Sequence, residues 1–381
     1  MSIVSSLFRP MALVASFLYC AVSFADGGLV PTGAKPIPIA APKAFHLNVA
    51  PSGLAQGIHE TVVRGAEGAS FIKLHFDYFN LPAGAVLEVS DASGKERYQY
   101  SSAKLGPHTV EVKLGEDGKT RFAAMSVNGD VAHVRLIMNK AKWDWAVHGV
   151  RVRQIMEGFT AAKIEEILNT AQTNTLSTCG VNERKDVACY ATSNPAEYDR
   201  TRPVARLVMS GGLCTAWRVS NDNRMLTNNH CIASQADTAA AEAWFNYQNT
   251  SCGGTTLAPV TKVAGAQMLK TDATLDYTLF TVSNLATVAS FGNFGLEVRS
   301  LVKDEQIFIA QHGSGDPKQL AITSDKNTGG LCRIDEHVRN GNGTGTDAGY
   351  FCDTIGGSSV SPVLSTSCLM AIALHLFGGC P

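Results

Sequence analysis

Cysteine placement constrains this chain more than any other feature. Of ten cysteines, nine fall between Cys179 and Cys380, and none lies between Asp26 and Thr178. The tenth, Cys20, sits in an early apolar run from Met11 to Phe24 that is too short to span a bilayer comfortably. Ser23-Phe24-Ala25 then puts small residues at both recognition positions of a cleavage site. Residues 1–25 read as a signal peptide, and the chain as secreted, extracellular or periplasmic. Export makes disulfides the expected use of the remaining cysteines. No Cys-x-x-Cys pair occurs and no histidines stand at zinc-like spacing around the cysteines, so neither a metal nor a cofactor is expected. The asymmetry divides 381 residues into a cysteine-free N-terminal part and a cysteine-bearing C-terminal domain.

Residues 26–55 are rich in Gly, Pro and Ala without periodicity and are expected to be a flexible lead-in. From 56 to 155 short alternating runs are broken by turns. They are Phe71–Phe79, Ala85–Val89, Tyr98–Tyr100, Thr109–Val112, Arg121–Met125, Ala132–Ile137 and Val147–Val152. About eight strands at roughly 10–15-residue spacing predict a β-sandwich of jelly-roll type, an accessory or pro-domain. His75 and His133 fall inside strand patterns, where a structural role is expected. Trp143 and Trp145 alternate across Asp144, suited to packing or to stacking on a sugar ring. Glycan or protein contact is therefore the partner expected of the sandwich. Residues 156–178 hold a helix over Thr160–Thr170, capped by Thr160 with Ile164, Ile167 and Leu168 in one stripe, and then a polar linker. The rest, 179–381, has short strands and almost no helical periodicity, so an all-β barrel or barrel pair is predicted. The formal net charge of −1 argues against nucleic acid and against stable membrane association. A hydrophobic content of 45% is ample for a core in each domain.

Three stretches carry chemistry together: Thr227-Asn228-Asn229-His230-Cys231, Leu275-Asp276-Tyr277-Thr278-Leu279, and Gly356-Gly357-Ser358-Ser359-Val360-Ser361-Pro362. A serine that attacks a carbonyl must lose its proton to a base. An imidazole serves when a carboxylate holds it in one tautomer, and the oxyanion that forms needs N–H donors. His230, Asp276 and Ser359 supply these groups in the chain order of the chymotrypsin architecture.

At these residues the chain resembles secreted chymotrypsin-fold serine proteases, and within them the bacterial lysyl endopeptidases. Leu226–Cys231 looks like the family's histidine motif and Asp276-Tyr277-Thr278-Leu279 like the segment with the triad carboxylate. Gly357-Ser358-Ser359-Val360-Ser361-Pro362 looks like its Gly-Ser-Ser-Gly-Ser-Pro nucleophile turn. Trp244–Cys252 and Leu374–Cys380 are similar to two further family stretches. The resemblance covers about Cys179 to Cys380. It implies a double β-barrel with Ser359 as nucleophile, His230 as general base and Asp276 as its partner. It places the oxyanion hole at the N–H groups of Gly357 and Ser359, and a protein or peptide as substrate. It implies disulfides Cys214–Cys231, Cys189–Cys252 and Cys179–Cys380, leaving Cys332 and Cys352 as a local pair and Cys368 over.

Some positions depart from the family pattern. Val360 stands where the family has glycine. The chain ends soon after the Gly-Gly run, so the second barrel is expected to be incomplete at its C-terminus. Asp353, six residues before Ser359, has the spacing of the acidic pocket floor in trypsins and suggests cleavage after basic residues. His375 matches a pocket-wall position that, in glutamyl endopeptidases, helps bind an acidic residue. The functional expectation is a secreted serine endopeptidase with a weak preference for basic residues. The rival expectation is an inactive homologue that binds protein or glycan. A lipase-type elbow is disfavoured, because no Gly-x-Ser-x-Gly surrounds Ser359.

Overall fold

The structure, a computed structural model, describes residues 35–51, 57–171, 178–376 and 378. The expected signal peptide and Cys380 lie outside them. In the N-terminal half the strands are β1 (Ile37–Pro38), β2 (Ala40–Val49), β3 (Ile58–Arg64), β4 (Phe71–Asn80), β5 (Val86–Asp91) and β6 (Arg97–Tyr100). They continue with β7 (His108–Thr109), β8 (Phe122–Ala124), β9 (Val127–Asn128), β10 (Val131–Ile137) and β11 (Gly149–Gly158). One antiparallel sheet runs β3-β10-β5-β6. The other runs β2-β11-β4-β8-β7, with β9 also on β4. Side chains alternate across a strand, so the inward residues of both sheets meet in one core. Its centre is an aromatic group, Phe76, Phe79, Tyr100 and Phe122, with ring centroids 5.1–6.2 Å apart.

Two local expectations are corrected here. Residues 37–49 are not flexible lead-in: β2 pairs with β11 from Val49 to Ala40 and opens the sandwich. Pro42 disguised it, but β2 is an edge strand, where a missing N–H leaves no gap in the ladder. Thr109–Val112 is not a full strand. The chain leaves β7 into a 3-10 turn at Val112–Leu114, drawn in by Glu116, whose carboxylate accepts from Glu111 N at 2.6 Å. Helix α1 (Ala161–Ala171) follows, with Thr160 Oγ1 accepting from Lys163 N at 3.2 Å.

The C-terminal half holds β12 (Lys185–Asp186), β13 (Val204–Met209), β14 (Gly212–Arg218), β15 (Met225–Thr227), β16 (Ala241–Phe245), β17 (Thr261–Asp272) and β18 (Tyr277–Val282). After these come β19 (Ile307–Gln311), β20 (Gln319–Ala321), β21 (Glu336–Arg339), β22 (Asp347–Gly349), β23 (Pro362–Ser365) and β24 (Ala371–Leu374). Strands β13-β14-β15-β18-β17-β16 close on themselves as a six-stranded barrel, with β1 added to β14. The second sheet, β12-β20-β19-β23-β24, is open among the described residues, and β21 pairs only with β22. The fold is all-β and chymotrypsin-like. Disulfides join Cys189–Cys252, Cys214–Cys231 and Cys332–Cys352, while Cys368 is free and exposed. Cys179 is disulfide-bonded, and its expected partner Cys380 lies outside the described residues.

Sandwich and barrel share a buried seam. Phe71 meets Trp244 edge-on at 5.4 Å, and Ile39, Met156, Ile164 and Leu168 pack with Val208 and Leu213. Fully buried Glu242 of β16 binds Lys73 Nζ at 2.9 Å and accepts from Ser126 N at 3.1 Å, both from the sandwich. Lys262 donates back to Glu96 (3.0 Å), Ser126 O (2.9 Å) and Asn128 (2.8 Å), and lies 3.9 Å from the Trp244 ring centroid. Burial alone would raise the Glu242 pKa; Lys73 and Lys262 hold it below the ordinary value.

Candidate active site

β15 and β18 are adjacent, with Thr227 opposite Thr278. That register sets the residues just after β15 against those just before β18, which brings His230 and Asp276 together across 46 residues of sequence. Asp276 is buried and turns through a positive φ of 46°. Its Oδ2 accepts from His230 Nδ1 at 2.7 Å and its Oδ1 from His230 N at 2.9 Å. Asn228 Nδ2 donates to Asp276 O at 2.6 Å and fixes the turn. A carboxylate can only accept, so Nδ1 carries the hydrogen and Nε2 holds the free lone pair. His230 Nε2 is buried and has no hydrogen-bond partner among the described residues.

Ser359 sits on the turn into β23 and is half-buried. Its carbonyl accepts from Thr215 N at 3.1 Å, one residue beyond Cys214, and Cys214 is bonded to Cys231 beside His230. Two short links therefore bring the serine turn to the histidine loop. Ser359 Oγ makes no hydrogen bond to His230 Nε2. The Sγ atoms of Cys214 and Cys231 cluster with His230 like metal ligands, but they are bonded to each other, so they offer no thiolate.

Gly357 has φ 91°, and a Cβ there would lie 2.8 Å from Leu213 Cδ2 and 3.0 Å from His312 O, so only glycine fits. Its carbonyl is tied back by Thr215 Oγ1 at 3.1 Å. The N–H groups of Gly357 and Ser359 find no acceptor among the described residues. Ser358, by contrast, is completely buried; its hydroxyl donates to Gln311 and accepts from Ile355 N at 3.0 Å. Ser358 is thus part of the turn's scaffold, and Ser359 is the serine that reaches solvent.

Val360 takes φ 72°, a conformation that costs a β-branched residue about 1–3 kcal/mol. It is held there from both sides, with its N–H donating to His375 O at 2.8 Å and its carbonyl accepting from Trp217 Nε1 at 2.8 Å. His375 is buried and shares a 2.7 Å hydrogen bond with the Tyr350 hydroxyl. Burial and the nearby His230 lower its pKa to about 4.

Asp353 is not placed as its spacing suggested. It is 1% exposed, and its two carboxylate oxygens accept from Cys179 N (3.1 Å) and Glu183 N (2.8 Å). The carboxylate anchors the start of the C-terminal domain instead of meeting a substrate cation. Sequence reasoning also missed Thr215 and Gln311. Both are ordinary strand residues in the sequence, and only the packing of β14 and β19 against the serine turn reveals them.

Residues 178–380 match the family described as lysyl endopeptidase, C-terminal domain. Secreted RxLR effector protein 73 of Plasmopara viticola is 27% identical over 328 residues, covering 82% of this chain and 76% of its own. Among solved structures, a Glu endopeptidase in complex with MPD is similar at 16% identity and TM-score 0.37, over 52% of this chain and 86% of that one. The active form of Rv3671c protease from M. tuberculosis is similar at 12% identity and TM-score 0.30, over 46% and 70%. Both structural likenesses are slight, and the fold is read from this chain's own strand order.

Proposed function

The chain belongs to the lysyl endopeptidase C-terminal domain family, and from that premise we propose that it is an exported serine endopeptidase working through Ser359, His230 and Asp276. Ser359 Oγ attacks the scissile carbonyl as His230 Nε2 takes its proton. Asp276 holds the ring and stabilises the imidazolium, which then protonates the leaving amine. The free N–H groups of Gly357 and Ser359 are the donors for the oxyanion. Water then releases the acyl group from Ser359 by the same proton path. The observation that carries this reading is the paired contact of Asp276 with both the ring and the backbone of His230, which leaves Nε2 as a base.

No preference for basic residues is assigned, because the Asp353 carboxylate is already engaged by backbone. One observation favours the rival reading of an inactive homologue: the strained Val360 next to the nucleophile. Hydrolysis of a small activated ester by the full chain separates the two. An initial burst equal to the enzyme concentration is expected in wild type, and in Ser359→Ala no burst and a hydrolysis rate lower by a factor of roughly 10⁴ or more. Equal rates in wild type and Ser359→Ala would leave the rival standing.

A further inference from the structure

A protease needs room for both halves of its substrate. His230 gives its proton to the leaving amine, so the leaving half must run out from Ser359 on the His230 side. The backbone edge on that side is β14, which carries Cys214 and is tied through Cys231 to the histidine loop. Alternate residues of a strand present N–H and C=O to the same edge. On β14 these are Leu213, Thr215 and Trp217, all turned away from the barrel neighbour β13. Trp217 pairs with Leu226 of β15, and Thr215 N binds Ser359 O. Leu213, next along, is the position an extended leaving peptide would use, since such peptides bind by adding a strand to an edge.

That position is taken. β1 pairs antiparallel with it, Ile37 opposite Leu213 and Pro38 opposite Gly212. The strap is anchored by Ile39 N and Ala40 N, which both donate to Gly211 O at 2.8 and 3.2 Å. Ile37 also presses on the nucleophile turn: a Cβ on Gly356 would lie 2.4 Å from Ile37 Cδ1 and 3.3 Å from Leu168 Cδ2 of α1. The chain's own residues thus fill the backbone edge and the apolar ground beside Gly356 in one stroke.

We propose that Ile37–Pro38 is an intramolecular occupant of the leaving-group side of the cleft. It rests on the serine-protease reading and deepens it: the full chain has an intact nucleophile turn but a blocked path for extended peptides. The occupied edge is a site for an extended peptide with a branched aliphatic side chain at the Ile37 position. Groups confined to the nucleophile, such as a fluorophosphonate or an ester with a small leaving group, do not need that edge.

The test compares full-length wild type with Ile37→Asp, which puts an unpaired charge against Gly356 and Leu168 at the margin of the seam. Turnover of a peptide extended by several residues beyond the scissile bond is expected to rise at least about tenfold. Fluorophosphonate labelling and small-ester hydrolysis are expected to stay within about twofold. Extended-peptide turnover that is unchanged or lower, with labelling intact, overturns the strap. Loss of labelling and peptide turnover together, at an unchanged melting temperature, overturns it in favour of Ile37 as a support of the turn. Should Ile37→Asp fail to fold, Ile37→Ala is read by the same criteria. Absence of labelling in wild type removes the serine-protease reading, and the strap falls with it.

Discussion

Asp276 fixes His230 twice, through the ring and through the backbone, so the imidazole cannot turn without leaving a buried carboxylate oxygen unpaired. The second histidine of the region behaves differently. The pKa of His375 is lowered, first by burial and then by its proximity to His230. Its pKa is about 4 in the fold against an ordinary value near 6.5. Between those values the unfolded chain binds a proton that the native chain refuses, so stability falls as pH drops from about 6.5 to about 4, by up to about 3 kcal/mol. Urea unfolding at pH 7, 5 and 4 should show this loss in wild type and a smaller one in His375→Gln. Parallel curves for the two proteins would remove His375 as the source.

At the scale of elements, the seam between β4 and β16 carries the sharpest consequence. Glu242 is fully buried and its ammonium partner Lys73 comes from the other domain. Removing one partner of a buried ion pair costs about 3–5 kcal/mol, of which Lys262, the second cation acting on Glu242, offsets a part. Lys73→Met is therefore expected to lower the denaturation midpoint of the whole chain in one cooperative transition. Loss confined to a sandwich-only transition would contradict a shared core. How much of this was legible in the sequence varies by element. Alternation exposed β4 and β10, whose inner faces meet a core. It hid β2, an edge strand interrupted by Pro42, and β17, whose twelve residues bend through two register shifts. Nothing in the sequence links Lys73 to Glu242, since the pairing depends on how two sheets far apart in the sequence meet. The pairing of His230 with Asp276 could be anticipated because each sits on a short motif at a strand end. The displacement of Asp353 could not, because its partners are backbone N–H groups of a segment 170 or more residues away.

At the scale of the molecule, the sandwich, helix α1 and the barrel form one body around the serine turn. Ile37 and Leu168 reach Gly356 from the N-terminal half, while Thr215, Gln311 and Trp217 hold Gly357, Ser358 and Val360 from the C-terminal half. Within the turn the Ser359 side chain is half-exposed while Ser358 and Ser361 are buried, and the turn is linked through Thr215 and the Cys214–Cys231 disulfide to the loop of His230, whose Nε2 has no partner among the described residues. We propose that the Ser359 hydroxyl is a nucleophile activated by His230. The direct measurement is peptide mapping of the full chain after reaction with a fluorophosphonate, in wild type, Ser359→Ala and His230→Ala. A single adduct on Ser359, absent in Ser359→Ala and formed at least about a hundredfold more slowly in His230→Ala, is the result expected. No adduct in wild type, or one on Ser358 that survives Ser359→Ala, would contradict it.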